Sequence, residues 1–327
     1  MVLDPLELKT SALLVIDMQN AFVHDRGTLG VSGVNTKRLA AIVPAMKALV
    51  GHCQATGMPV IWTVQEHFQA DAARARKKLA AHTAKRKQVS ALAGSWDEAI
   101  IDELKALAEI NPSMVVRKHR FGAFYATRLE QLLRMLGTQT LFVTGTTTNA
   151  CVETTIREAY LRDYDVVAVT DCISGINEEW EQTALQVWGQ YFCVLADSRD
   201  VTSWIEAQRR PRTLSFAHML LQVADIEASR RFYAELLGFT ERQAKPLADG
   251  RPFVPFHQGI ALTTGGPGKP LQIDHMAFRV YDVEALAARL KQADVKFFQD
   301  LHDGIYGRTI YVADPDGNKV ELYEETA

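Results

Sequence analysis

Short apolar runs alternate with longer amphipathic stretches over the first two-thirds of the chain, a pattern that predicts strands and helices in turn. SALLVIDMQ, PVIWTVQ, SMVVRK, TLFVTG, DVVAVTD and FCVLADS are short, nearly continuous apolar runs, as expected of strands buried on both faces. TKRLAAIVPAMKALVGHCQATG has apolar positions at helical spacing and stops at Gly57, so it predicts one amphipathic helix. Further helices are expected around residues 129–136, 152–162 and 180–189. This alternation predicts an α/β fold, a doubly wound parallel sheet covered on both faces. Right-handed crossovers then place the C-terminal ends of the strands along one edge, where open α/β sheets bind ligands.

The pattern changes near RRPRTLS, and residues 209–215 read as a linker between a domain of residues 1–208 and one of residues 216–327. The second part repeats itself. HMLLQVADIEA begins at His218 and HMAFRVYDVEA at His275, 57 residues later, each with Asp at the seventh position after His and then a helical pattern. The repeat predicts an α+β domain of two stacked modules, each a strand and helix followed by further strands.

Length and composition fit this division. The 327 residues suffice for two ordinary domains, and 47% apolar with 23% charged is the balance of a globular chain. A net charge of -3 gives no electrostatic case for nucleic acid or an anionic membrane. No apolar run approaches the ~18 residues of a membrane span, and the N-terminus lacks a secretory pattern. Four irregularly spaced cysteines suggest a reducing compartment, so the expectation is a cytoplasmic protein. The run from Arg74 to Lys87, seven Lys or Arg in fourteen residues, reads as a solvated helix face or an attractor for an anionic substrate.

Three strand ends supply candidate chemistry. Asp17 ends the first strand, Lys118 ends VVRK, and Cys151 opens the helix after TLFVTG. The edge rule lets all three face one crevice. A helix N-terminus and a nearby ammonium lower a thiol's pKa to roughly 3.5–7.5, so Cys151 is expected as a persistent thiolate. Cys53, Cys172 and Cys193 lie within a helix face or in and beside strands, where packing accounts for them.

ALLVIDMQNAF, KHRFGAFYATRLEQLL and VTGTTTNACVETTIREAYLRDYDVVAVTDCISG, in this order across residues 8–205, resemble the isochorismatase-like cysteine hydrolases. Within that family the pattern is closest to the ureidoacrylate and biuret amidohydrolases. The resemblance implies a catalytic triad of Asp17, Lys118 and Cys151, and C–N hydrolysis of a small amide or ureido substrate through a thioester. It also implies a cis peptide at Thr146–Thr147, with backbone N–H groups of that loop and of Cys151 as oxyanion donors. Asn20, Phe22, Trp96, Phe124 and Tyr125 match positions that line the family's pocket, although each aromatic equally suits a core. Nicotinamidases of this family hold a metal through an Asp-x-His pair. Here WTVQEHF has His67 without that Asp, so no metal is expected in this domain and His67 is expected at the surface or in the pocket.

HMLLQVADIEASRRFYAELLGF, DHMAFRV and YVADPDGNKVELYE resemble the vicinal oxygen chelate superfamily of glyoxalases, extradiol dioxygenases and bleomycin-resistance proteins. The resemblance implies paired βαβββ modules and a metal site of His218, His275 and Glu321. Two imidazoles and a carboxylate suit Fe2+, with Mn2+ or Zn2+ as alternatives. GIALTT carries no fourth ligand at the expected place, which weighs against a glyoxalase. His257 and Tyr306 are further polar residues whose placement the sequence leaves open. Two other readings remain: a non-haem Fe(II) or Mn(II) dioxygenase with an accessory hydrolase domain, and a protein that sequesters a small molecule. Homo-oligomerisation is usual in both resembled families.

Overall fold

The computed structural model describes residues 2–70, 88–266, 272–313 and 317–325. The basic run of residues 74–87 lies outside them. Two compact units divide the chain, Met1–Gln208 and Arg209–Ala327.

The first unit is built on six parallel strands: β1 (Ser11–Ile16), β2 (Val60–Gln65), β3 (Val115–Lys118), β4 (Thr140–Thr146), β5 (Asp165–Ser174) and β6 (Val194–Ala196). Their order is β3-β2-β1-β4-β5-β6, so the winding reverses between β1 and β4. That reversal opens a crevice at the carboxyl ends of those two strands. Besides the single turns Asn20–Val23 and Thr28–Val31, the described residues form helices α1 (Lys37–Ala41), α2 (Val43–Ala55), α3 (Asp102–Glu109), α4 (Leu129–Met135), α5 (Glu153–Tyr160), α6 (Glu178–Tyr191) and α7 (Ser198–Arg209). Successive residues of β1 point to opposite faces. Leu13 and Val15 pack with Met46, Leu49 and Cys53 of α2 and Trp204 of α7, whereas Leu14 and Ile16 pack with Leu133 of α4, Ile156 of α5 and Trp188 of α6.

One helix expectation needs correction. The stretch that predicted a single helix is broken at Ile42 into α1 and α2, with Pro44 in the first turn of α2. Proline has no N–H to donate to the turn before it, so it is accommodated at a helix start. At the other end Gly57 takes φ +80° and Met58 N donates to Cys53 O, closing α2 as its glycine predicts.

The second unit is a mixed seven-stranded sheet of order β11-β12-β13-β10-β7-β9-β8. Its strands are β7 (Arg212–Val223), β8 (Val254–Pro255), β9 (Ile260–Thr264), β10 (Gln272–Tyr281), β11 (Phe297–Asp303), β12 (Gly307–Ala313) and β13 (Lys319–Glu325). Helices α8 (Ile226–Arg230) and α9 (Val283–Gln292) follow β7 and β10. The repeated aspartates are their N-caps: Asp225 accepts from Ala228 N and Asp282 from Ala285 N. Module two is β10-α9-β11-β12-β13. In module one the outermost strand shrinks to a single bridge, Glu241 with Phe256. Residues 209–215, read as a linker, comprise the end of α7, Arg210, Pro211 and the start of β7. No helix among the described residues is long and apolar enough to cross a membrane.

Candidate functional site

The crevice of the first unit gathers the three strand-end residues. Asp17 follows β1 in the left-handed region, with φ 50°, and is fully buried. Lys118, the last residue of β3, is also fully buried, and its Nζ lies 2.6 Å from Asp17 Oδ2. The other Asp17 oxygen accepts from Thr63 Oγ1 at 2.6 Å. Lys118 Nζ donates further to Arg120 O at 2.9 Å and to Gln65 Oε1 at 3.1 Å. Cys151, buried with 5% exposure, sits in the π-turn Thr148–Val152 that leads into α5, and its Sγ donates to the same Gln65 Oε1 at 3.3 Å.

The loop carrying the thiol is set by close approach of β4 to β1. Gly145 takes φ +115°, and a Cβ there would lie 2.1 Å from Ile16 O, so only glycine fits. Thr146 Oγ1 donates to Asp17 O at 3.2 Å. The Thr146–Thr147 peptide is cis, at the position the resemblance implies. From α6, Glu181 accepts from Thr148 Oγ1 and Gly175 N.

The surroundings of Cys151 work against the thiolate expected there. Burial first, and the Asp17 carboxylate second, push Cys151 up to about 12, and Lys118 offsets only part of this. The helix start and the ammonium do not outweigh loss of water, so the resting sulfur is a neutral thiol. Burial also opposes the Lys118 ammonium, but Asp17 and Cys151 hold its pKa above the ordinary lysine value.

The residues matched to the family's pocket are not all free to line one. Asn20 donates its amide to Trp96 O at 2.8 Å, and Phe22 and Phe124 are packed into the cores on opposite faces of the sheet. Trp96 and Tyr125 are exposed, at 45% and 61%. His67, expected at the surface or in the pocket, is buried: Nδ1 faces Ser90 O at 2.7 Å and Nε2 faces Gln65 Nε2 at 3.1 Å. Gln65 and Thr63 were missed by the sequence reading. For Gln65 the available signal was the one that found Asp17 and Lys118, a polar residue closing an apolar strand, whereas Thr63 lies inside its strand.

In the second unit the repeat's pseudo-twofold passes through Met219 and Met276, which pair with each other across β7 and β10. His218 pairs with Ala277, and Ala277 pairs on its other side with Glu321 of β13. His275, two residues before Ala277, shares that face. His218, His275 and Glu321 are all buried, and their ligand atoms lie within 4.8 Å of one another. Glu321 Oε2 is 2.8 Å from His275 Nε2 and 3.8 Å from His218 Nε2. Neither Nε2 has hydrogen-bond geometry with a partner among the described residues. Buried lone pairs so placed fit a metal ion. Asp274 Oδ1 accepts from His275 Nδ1 at 2.8 Å and fixes the tautomer that presents Nε2.

Burial lowers His218 to about 4, so it stays neutral. Burial likewise works against the His275 imidazolium, but Asp274 and Glu321 raise its pKa above the ordinary value. Phe253, Tyr306 and Tyr311 ring the cluster, with centroids 5.8 and 5.7 Å from His218 and 5.4 Å from His275 respectively. His257 is exposed. Leu220, the repeat mate of Ala277, pairs with Ala261 of β9, so Ala261 stands where symmetry would put a second Glu321. This accounts for three ligands rather than four.

Comparison with known proteins follows the same division. Residues 11–200 match the family model described as Isochorismatase domain. Residues 215–322 match that of the Glyoxalase/Bleomycin resistance protein/Dioxygenase superfamily. Ureidoacrylate amidohydrolase RutB of Yersinia enterocolitica is 32% identical over 195 residues, covering 55% of this chain and 83% of that protein. Its counterpart in Methylorubrum extorquens is 32% identical over 174 residues, 50% of this chain and 68% of that protein. Among solved structures, an isochorismatase family protein from Desulfovibrio vulgaris is 29% identical with TM-score 0.51, covering 60% of this chain and 98% of that one. A cysteine hydrolase from Pseudomonas syringae pv. phaseolicola shares the fold at TM-score 0.54 and 24% identity, covering 62% of this chain and 96% of that one.

Proposed function

Because the chain belongs to the isochorismatase family, we propose that it is a cysteine-dependent amidohydrolase that cleaves a C–N bond of a small amide or ureido compound. The observation that carries this reading is the buried Lys118–Asp17 ion pair beside the buried Cys151 thiol at the reversal point of a parallel sheet. The relatives named ureidoacrylate amidohydrolase support the substrate class.

Asp17, ionised against Lys118, takes the thiol proton as Sγ attacks the substrate carbonyl carbon. The carbonyl electron pair moves to oxygen, and backbone N–H groups of Cys151 and Thr147 are the proposed donors to that oxyanion. Removing one such donor costs about 3–4 kcal/mol of barrier in comparable sites. Collapse expels the nitrogen, which takes the proton back from Asp17 and leaves a thioester. Asp17 then accepts a proton from water as water attacks the thioester, and it returns that proton to the sulfur. The acid product is released and the thiol restored. Trp96 and Tyr125, the two exposed side chains among the residues matched to the family's pocket, are the proposed substrate contacts.

The second unit carries a separate reading, a divalent metal site of His218, His275 and Glu321. Such an ion, when bound, supplies Lewis-acid or redox chemistry at open coordination positions. The chain's own part is to present two imidazoles and a carboxylate, with Asp274 fixing the His275 ring. The dioxygenase and sequestering alternatives belong to this site.

Ammonia release over a panel of amides and ureas tests the leading reading. Wild-type protein is expected to turn over at least one ureido compound and Cys151→Ala none. Hydrolysis that persists in Cys151→Ala rules the nucleophile out. Oxygen uptake abolished by His218→Ala but untouched by Cys151→Ala favours the dioxygenase.

A further inference from the structure

Gln65 is an uncharged side chain hydrogen-bonded to both Cys151 and Lys118. Its Oε1 accepts from Cys151 Sγ at 3.3 Å and from Lys118 Nζ at 3.1 Å. A primary amide can present either end to a neighbour, so something must decide which. His67 decides it. Its Nδ1 is 2.7 Å from Ser90 O, which can only accept, so Nδ1 carries the proton. Gln65 Nε2 can only donate, so the ring nitrogen it faces at 3.1 Å, His67 Nε2, is the acceptor. With its nitrogen end engaged, the amide must turn its oxygen to the thiol and the ammonium.

The parts of this relay are themselves fixed. His67 N donates to Ala91 O at 3.0 Å, and Ala93 N donates to His67 O at 2.8 Å. The main chain of Gln65 is clamped by the amide of Gln19, which accepts from Gln65 N and donates to Gln65 O, both at 2.8 Å. Both ring nitrogens of His67 are engaged, so the imidazole has no lone pair left for a cation.

We infer that Gln65, oriented by His67, is a positioning residue of the hydrolytic site. Its carbonyl holds the resting Cys151 as an aimed thiol and gives Lys118 an acceptor beyond Asp17 and Arg120. The thiol proton thereby faces an uncharged acceptor, while Asp17 keeps its pairing with Lys118. When sulfur attacks, the S–H bond breaks, the proton goes to Asp17, and the new S–C bond uses the sulfur electron pair. A carbonyl oxygen facing sulfur favours the thiol over the thiolate, and this makes the inference measurable. It rests on the amidohydrolase reading for its catalytic meaning, but its test needs no substrate.

The experiment is the rate of iodoacetamide alkylation at Cys151, followed by peptide mass spectrometry on the full chain between about pH 7.5 and 9.5. Leu and Glu are close to Gln in length, so access to the sulfur is held. Gln65→Leu removes the acceptor and is expected to raise the rate about tenfold at fixed pH, one unit of thiol pKa. Gln65→Glu puts a charge at the same place and is expected to lower it by a similar factor. His67→Phe frees the amide to turn and is expected to raise the rate less than Gln65→Leu. Combined with Gln65→Leu it is expected to add nothing, because the ring acts only through the amide. On a ureido substrate Gln65→Leu is expected to lower kcat with KM little changed. Equal alkylation rates in wild type, Gln65→Leu and Gln65→Glu overturn the inference, as does a His67→Phe effect that simply adds to that of Gln65→Leu. A wild-type protein that alkylates as expected but hydrolyses no amide overturns the amidohydrolase reading and leaves the thiol's positioning intact.

Discussion

Cys151 is pushed up to about 12 mainly by burial and next by Asp17, so its thiolate fraction at neutral pH is on the order of 10⁻⁵. Free cysteine, at roughly pKa 8.5, holds a few per cent. Iodoacetamide at pH 7 is therefore expected to modify Cys151 about a thousandfold more slowly than glutathione, with the rate rising about tenfold per pH unit. A flat profile would mean that the thiolate persists. The ion pair beside it has its own consequence. Lys118→Met leaves the Asp17 carboxylate buried without a counter-ion, and loss of one partner of such a pair typically costs about 3–5 kcal/mol. Denaturant unfolding is expected to show this loss, and Asp17→Asn combined with Lys118→Met to recover part of it. Asp17, Lys118 and Cys151 were legible because charge or sulfur at the end of an apolar strand stands out. Gln65 closes VIWTVQ in the same way but was passed over, since an uncharged amide looks like a turn residue until its partners are seen. The thiol's charge state could not be read at all, because desolvation depends on what packs around the sulfur.

Strand pairing carries the second site. The repeat HM…VxD was visible, and the Met219–Met276 pair turns it into a twofold that sets His218 and His275 two positions from Leu220 and Ala277 on one face. Glu321 enters from β13 beside Ala277, whereas β9 offers only Ala261 at the equivalent place. Sequence reading noticed the missing ligand but needed the register to identify its position. The reduction of module one's outer strand to the Glu241–Phe256 bridge was not legible, because residues 241–256 have no alternation of either period. A metal must displace the proton that Asp274 and Glu321 help His275 to hold, and that pKa lies above the ordinary histidine value. Metal affinity is thus expected to fall by up to about tenfold per pH unit as pH drops below it. His218, at about 4, adds a second proton only in stronger acid. Isothermal titration across this range checks the sign, and affinity independent of pH would remove His275 from the ligand set. Glu321→Ala is expected to weaken binding by a larger factor than Asp274→Asn, since it deletes a ligand rather than the support of one.

Each unit has cores of its own. Those around α2 and α5 lie in the first unit, and those around α9 and β9 in the second. Alternating strands and helices announced the first, and an internal repeat the second, because burial on two faces and burial on one face leave different periods in a sequence. Chemistry divides in the same way. Both nitrogens of His67 are engaged within the protein, whereas two imidazole nitrogens of the His–His–Glu cluster lack hydrogen-bond partners among the described residues. Chelation is accordingly expected to leave ammonia release unchanged. Calorimetry provides the sharper check. A ligand that binds one folded unit stabilises that unit by about 2.7 kcal/mol when present at a hundred times its Kd. Two unfolding transitions are expected, of which divalent metal raises only one, and His218→Ala abolishes that rise. Cys151→Ala leaves the rise in place. A single transition that moves as a whole with metal would show that the two units melt as one cooperative body, and then loss of the cation would also cost the hydrolase its stability.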